Sequence, residues 1–203
     1  MYQPILRVRR VLPALCLPAF FLAGALGVAA PAEQAASPDS IRVSTAAYRV
    51  PDVKLVRQDG TTTSLEQEMN DGRPVVLNFI FTSCEAVCPL TTHILGEFQR
   101  KLGPESSQVH LMSISIDPEQ DTPARLRDYA KRFGAGPGWN FYTGSVAASV
   151  AAQKAFNVFR GEKMDHTAVT LLRAAPGASW QRLDGFATPD DLIRQYHALV
   201  AAK

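Results

Sequence analysis

Two cysteines separated by three residues are the side chains of this sequence best suited to chemistry. Cys84 and Cys88 lie in the segment FTSCEAVCP, which directly follows an apolar run at residues 74–81 (PVVLNFIF). Such a run is typical of a central strand buried on both faces. A helix is predicted over residues 89–102, because Pro89 suits the first turn of a helix. The pair is therefore expected between the carboxyl end of a strand and the start of a helix, where sites form in open α/β sheets.

Thiols at the start of a helix ionise readily, because free N–H groups and the positive end of the helix dipole stabilise a thiolate. If the first turn is helical, the i, i+4 spacing lets the sulfurs of Cys84 and Cys88 converge. They can then form a disulfide or bind one soft metal ion. Two cysteines are too few for an iron–sulfur cluster and supply half of a usual structural zinc site. Copper tolerates the missing ligands best, and a structural disulfide is the alternative.

A third ligand would have to come from one of four histidines. His93 lies five residues beyond the second cysteine, about 140° around the same predicted helix. His110 begins a buried strand at the opposite end of the sheet, and His197 lies late in the last helix. His166, in the polar stretch KMDHT before a predicted strand, reaches the same sheet edge as the cysteines, and its neighbour Asp165 can orient it. The residues alone leave His166 open between a ligand and a structural histidine.

Strand and helix patterns alternate along the rest of the chain. Capping boxes predict helix starts at Ser64 and Thr188. The last two strands are joined by a short connection and are expected to form a hairpin. This order predicts an α/β fold, a thioredoxin-like mixed sheet flanked by helices with a late β-hairpin insertion. Besides the elements already named, strands are predicted at residues 53–56, 109–116, 139–142, 169–172 and 180–183, and helices at residues 123–133, 145–156 and 189–202.

The acidic segment DPEQDTP, which follows the second buried strand, has two interpretations. Asp117, Glu119 and Asp121 can form a hard-metal site. Alternatively, Asp117 ends the strand in a turn, and Asp121 or Thr122 caps the next helix. The second interpretation is favoured, and it places this loop near the sulfurs.

The first 32 residues have the pattern of an export segment. Three arginines within residues 1–10 precede an uncharged apolar run at residues 11–30, which ends in small residues. An uncleaved membrane anchor is the alternative to a cleaved signal peptide, because about 20 apolar residues can span a bilayer. Residues 33–47 are rich in Ala, Ser and Pro and predict a linker. The folded domain is then expected at residues 48–203, in the periplasm or on the periplasmic face of the inner membrane.

Composition agrees with a single globular domain of ordinary size. The chain has 203 residues, of which 46% are apolar and 20% charged, and this excludes a largely disordered or fibrous protein. The net charge of +2, from 21 basic and 19 acidic residues, gives no electrostatic footprint for nucleic acid. Three cysteines are too few for a disulfide-stapled scaffold.

Three motifs together resemble the SCO/SenC family over residues 48–200. The resemblance implies a thioredoxin-like copper-binding protein used in cytochrome c oxidase assembly. It implies Cys84, Cys88 and His166 as ligands of one Cu(I) or Cu(II) ion. Asp165 and Asp117 are expected to support these ligands without binding the ion themselves. The motifs are Phe81-Thr82-x-Cys84-x-x-x-Cys88-Pro89, Asp117-Pro118-x-x-Asp121-Thr122-Pro123, and Asp165-His166 before a strand.

The implied activity is that of an exported copper metallochaperone. It would deliver copper to a respiratory cytochrome c oxidase or maintain the thiols of the oxidase's copper site. Its partner would be the copper-site subunit of the oxidase or another copper chaperone. The alternative is a thiol–disulfide oxidoreductase that uses Cys84 and Cys88. The three-residue spacer counts against that alternative, because the redox motif expected in this fold is C-x-x-C.

Overall fold

One mixed sheet of eight strands organises residues 41–202, the part of the chain that the computed structural model describes. The order across the sheet is β1-β8-β7-β4-β5-β6-β2-β3. Strands β4, β5 and β6 pair in parallel, and every other pairing is antiparallel. The strands are β1 (Arg42–Ala46), β2 (Lys54–Arg57), β3 (Thr62–Ser64), β4 (Val75–Ile80), β5 (His110–Ser115), β6 (Trp139–Gly144), β7 (Val169–Arg173) and β8 (Trp180–Asp184).

Helices cover both faces of the sheet, so all six residues of β4 are buried. One core lies between the sheet and helices α2, α3 and α5, and the other lies under α1 and α4. Continuous apolar runs are what burial on both faces requires. The helices are α1 (Leu65–Met69), α2 (Val87–Leu102), α3 (Pro123–Arg132), α4 (Val146–Ala155) and α5 (Pro189–Ala201), and two 3-10 helices span Gly103–Gln108 and Lys163–Asp165.

The predicted α/β order and the late hairpin are confirmed. Strands β7 and β8 pair antiparallel, with Thr170 opposite Leu183, and β7 also pairs with β4. The predicted capping box at α5 is present: the N–H of Asp191 donates to the hydroxyl of Thr188, and the N–H of Thr188 donates to the Asp191 carboxylate. Since β7 runs antiparallel to β4, the loop that precedes β7 lies at the carboxyl end of β4.

The prediction of a linker up to residue 47 is wrong at its end. Residues Arg42–Ala46 form strand β1, which pairs with the hairpin strand β8, with Val43 opposite Leu183. The β-branched residues Val43 and Thr45 favour this extended edge strand. The rest of the predicted linker and the predicted export segment at residues 1–32 lie outside the described residues. Within residues 41–202, no helix is long and apolar enough to cross a membrane.

Helix α2 begins at Val87, two residues before the predicted start. Pro89 is therefore the third residue of the helix and not the first. A proline is tolerated there because the first N–H groups of a helix have no partner within the helix. The earlier start places Cys88 inside the first turn, whereas Cys84 lies in the turn that precedes the helix.

Candidate metal centre

The two cysteines lie at the junction of β4 and α2, as the sequence predicts. Both are free thiols. Cys88 is fully buried, and its sulfur accepts a hydrogen bond from the backbone N–H of Phe81 at 3.4 Å. The sulfur of Cys84 is partly exposed and accepts from the N–H of Cys88, also at 3.4 Å. The Cys84 sulfur thus takes the place of a helix cap, because α2 has no other side-chain cap.

These surroundings shift the pKa values of the two thiols in opposite directions. Burial alone would raise the pKa of Cys84, but the N–H groups of Cys88, Ala86 and Val87 outweigh it and lower that pKa below its ordinary value. Burial raises the pKa of Cys88 far above its ordinary value, and the single N–H of Phe81 does not offset it. Cys84 is therefore the thiol that ionises first and that solvent reaches.

Alkylation should report this difference directly. With iodoacetamide at neutral pH, we expect the reduced protein to be modified at Cys84 at least about tenfold faster than at Cys88. The Cys84 rate should reach half of its maximum at a pH below the ordinary thiol pKa, and fragment-ion mass spectrometry locates the label. Faster labelling of Cys88 would contradict the arrangement described above.

His166 reaches the same edge of the sheet from the loop before β7. Its Nε2 lies 2.9 Å from the backbone oxygen of Phe79 in β4. Because a carbonyl oxygen only accepts hydrogen bonds, Nε2 carries the proton and Nδ1 keeps its lone pair. Burial lowers the pKa of His166, and nearby Arg160 adds to this effect although the Phe79 hydrogen bond opposes it. A neutral imidazole with a free nitrogen is the form that binds metals.

Of the two carboxylates expected to support the ligands, Asp117 holds the histidine loop and Asp165 does not orient His166. Asp165 is exposed and makes no hydrogen bond to His166 among the described residues, and Phe79 orients the imidazole instead. Asp117 is buried and pairs with the Lys163 ammonium at 2.6 Å. Lys163 Nζ also lies 5.8 Å from the centre of the Phe81 ring. Asp117 therefore holds the histidine loop through Lys163.

The acidic segment shapes a loop, as the favoured interpretation predicts. Asp121 is fully buried and accepts hydrogen bonds from the Thr82 N–H at 3.2 Å, the Thr82 hydroxyl at 2.5 Å and the Ser115 hydroxyl at 2.6 Å. Thr122 caps α3 by accepting from the Arg125 N–H. Glu119 is exposed. The hard-metal interpretation is wrong, because these contacts use the carboxylates separately.

The other three histidines lie where the sequence places them. His93 is exposed on α2. His110 is buried at the start of β5, where its ring nitrogens contact the Glu68 backbone oxygen and the Tyr142 hydroxyl, each at 3.0 Å. His197 is exposed near the end of α5, 3.0 Å from Glu105. None of the three lines the cavity beside Cys84.

Cys84 and His166 line one cavity of about 210 Å³, together with Phe81 and Val87. Cys88 lies behind Cys84, in the core. Among residues 41–202, no three His, Cys, Asp or Glu side chains lie close enough together to hold one metal ion. The structure thus brings two of the predicted ligands to one cavity and leaves the third buried next to the first.

Sequence comparison identifies relatives over most of the folded domain. Residues 43–201 match the model of the SCO1/SenC family. The SCO1 protein homolog of Bacillus subtilis is 37% identical over 98 residues, which are 48% of this chain and 50% of that protein. The SCO2-like protein of Rickettsia felis is 27% identical over 136 residues, 62% of this chain and 64% of that protein. The chain thus spans about half to two thirds of the length of these curated relatives.

Solved structures of Sco proteins share the thioredoxin-like fold described above. Bradyrhizobium japonicum ScoI, solved with copper bound, is 25% identical with a TM-score of 0.62, and the match covers 72% of this chain and 96% of that one. BsSco, a member of the Sco family of cytochrome c oxidase assembly proteins with a disulfide switch, is 28% identical with a TM-score of 0.65, covering 79% and 98%. Since the family model matches the chain from residue 43 to residue 201, this protein belongs to the SCO1/SenC family.

Proposed function

We propose that this chain binds one copper ion through Cys84, Cys88 and His166 and passes it on during the assembly of cytochrome c oxidase. The observation that carries the proposal is that an acidic thiol and a neutral imidazole face the same cavity, with a second thiol directly behind the first. Thiolate and imidazole are ligands that copper favours. The relative solved with copper bound supports the choice of metal.

The positions of the three proposed ligands suit transfer of a copper ion better than its storage. The ligands come from two separate segments, the turn before α2 and the loop before β7. Because the Cys88 sulfur is buried and hydrogen-bonded to Phe81, copper loading requires the turn to shift and expose it. A site that opens in this way can release its ion by ligand exchange at the cavity mouth, whereas a closed four-ligand site would retain it.

The proposed partner is the copper-site subunit of the oxidase or another copper chaperone. BsSco, which belongs to a family of cytochrome c oxidase assembly proteins, supports this class of partner. We further propose that residues 1–32 export the domain to the periplasm, as a cleaved signal or as an anchor. The basic start and the apolar run at residues 11–30 support export.

Anaerobic titration of the reduced full chain with Cu(I), against a chromophoric chelator, tests the ligand set. We expect one ion per chain, and His166→Ala should weaken the affinity at least about a hundredfold, or ~2.7 kcal/mol. His93→Ala is the matched control, because His93 is exposed on α2 and does not line the cavity, and its affinity should equal that of the unmodified chain. Absence of binding by the unmodified chain would refute the function, and unchanged binding by His166→Ala would remove His166 from the ligand set.

Thiol–disulfide exchange is the second candidate. The lowered pKa of Cys84 and the raised pKa of Cys88 favour it, because only one of the two thiols is then ready to attack. The Cys84 thiolate would attack a client disulfide, releasing one client thiolate and forming a mixed disulfide. The Cys88 sulfur, behind Cys84, would then displace the second client thiol and leave a Cys84–Cys88 disulfide. In an insulin reduction assay driven by dithiothreitol, His166→Ala should keep the rate of exchange, because the imidazole takes no part in it. If the unmodified chain reduces insulin but binds no copper, this candidate is favoured over the copper function.

A further inference from the structure

Met164 is the most exposed large apolar side chain among the described residues. Its exposed fraction is 76%, whereas Met69 and Met112 are fully buried in the core. It lies in the 3-10 helix Lys163–Asp165, two residues before His166. A methionine this exposed contributes little to stability, since burial of such a side chain is what stabilises the fold. The position calls for an explanation other than packing.

The cavity beside Cys84 provides one. Met164 lines this 210 Å³ cavity together with Cys84 and His166, so a thiol, an imidazole and a thioether share its walls. The lining carries one charge of each sign, from Glu85 and Lys163, and the Lys163 ammonium is paired with Asp117. Phe81 supplies an apolar wall. A soft, apolar lining of this kind suits a soft cation better than a hard one.

We propose that the thioether of Met164 is a further ligand of Cu(I) in this cavity, an inference that rests on the proposed copper function. The thioether is a soft donor that selects Cu(I). The unbranched side chain, with three rotatable bonds, can follow an ion as the surrounding ligands change. Because it is the most exposed of the donors, Met164 contacts the ion at the mouth of the cavity. It supplies a ligand there while a thiolate is being exchanged.

Met164→Leu tests the donor, because leucine keeps an apolar side chain of similar size on an exposed position. We expect Cu(I) affinity to fall about tenfold while Cu(II) affinity stays unchanged. Selective loss of Cu(I) lowers the Cu(II)/Cu(I) reduction potential by about 59 mV for a tenfold change. A loosened loop would weaken both oxidation states, so the difference between them separates a ligand from a structural residue.

Selenium absorption spectroscopy gives a direct readout. In the Cu(I)-loaded full chain carrying selenomethionine, copper should appear as a neighbour of part of the selenium, and Met164→Leu should abolish that signal. The buried Met69 and Met112 serve as internal controls. Copper bound without a selenium neighbour would overturn this inference and leave the proposed function standing. Failure of the unmodified chain to bind Cu(I) would overturn both.

Discussion

Cys88→Ser should abolish stoichiometric copper binding and leave the fold intact. Serine offers a hard hydroxyl that does not ionise at neutral pH, so the ion would keep only Cys84 and His166 as strong donors. We expect Cu(I) affinity to fall by about a thousandfold or more, equivalent to ~4 kcal/mol. The chelator competition described for the His166 variant measures this loss.

The fold should tolerate Cys88→Ser because the hydrogen bond from the Phe81 N–H to the side chain can be kept. The Cys88 sulfur accepts the N–H of Phe81, and a serine oxygen can accept the same donor. The hydroxyl enters a buried position in the core, so we expect a loss of about 1 kcal/mol in the free energy of unfolding in urea. His93→Ala, an exposed substitution on the same helix, is the control and should change neither quantity. Tight copper binding by Cys88→Ser would show that the buried sulfur is not a ligand.

The strands and helices could be predicted because each is determined by residues that are neighbours in the sequence. Strand β4 is buried on both faces, so its sequence is an unbroken apolar run. Thr188 and Asp191 cap α5 through their own side chains, and this pattern is visible in four consecutive residues. The position of the cysteines followed from these elements, since a turn between a central strand and a helix lies at the carboxyl edge of the sheet.

The contacts that orient the proposed ligands could not be predicted, because they join distant parts of the chain. His166 is oriented by a backbone oxygen of β4, 87 residues away, and a backbone oxygen has no sequence signature. The neighbour Asp165 was the natural candidate for this role, but in the structure it is exposed. Lys163 and Asp117, 46 residues apart, form an ion pair that only the tertiary fold creates.

One loop, the connection between β5 and α3, holds both segments that carry the proposed ligands. Asp121 binds the N–H and the hydroxyl of Thr82, two residues before Cys84. Asp117 binds Lys163, three residues before His166. This loop therefore sets where the cysteine turn and the histidine loop stand relative to each other. In the proposed function, the acidic motif of the sequence would influence copper binding by positioning these two segments.

Asp121→Ala should accordingly damage stability and copper binding together. Alanine leaves the N–H of Thr82 and the buried hydroxyl of Ser115 without their acceptor. Unpaired buried donors cost about 1–3 kcal/mol each, and since Thr82 is only half-buried we expect a loss of about 3 kcal/mol in the free energy of unfolding. Urea unfolding monitored by circular dichroism measures it.

The Cu(I) affinity of Asp121→Ala shows whether Asp121 anchors the Thr82–Cys84 turn or only stabilises the fold. At low urea, where the variant is still folded, a loosened Thr82–Cys84 turn should weaken Cu(I) affinity about tenfold, because the donors are no longer held for the ion. Glu119→Ala, at an exposed acidic residue of the same loop, should change neither stability nor affinity. If Asp121→Ala is destabilised yet binds copper as tightly as the unmodified chain, the carboxylate supports the fold alone. In that case the cysteine turn must be positioned by β4 and α2 without help from the loop.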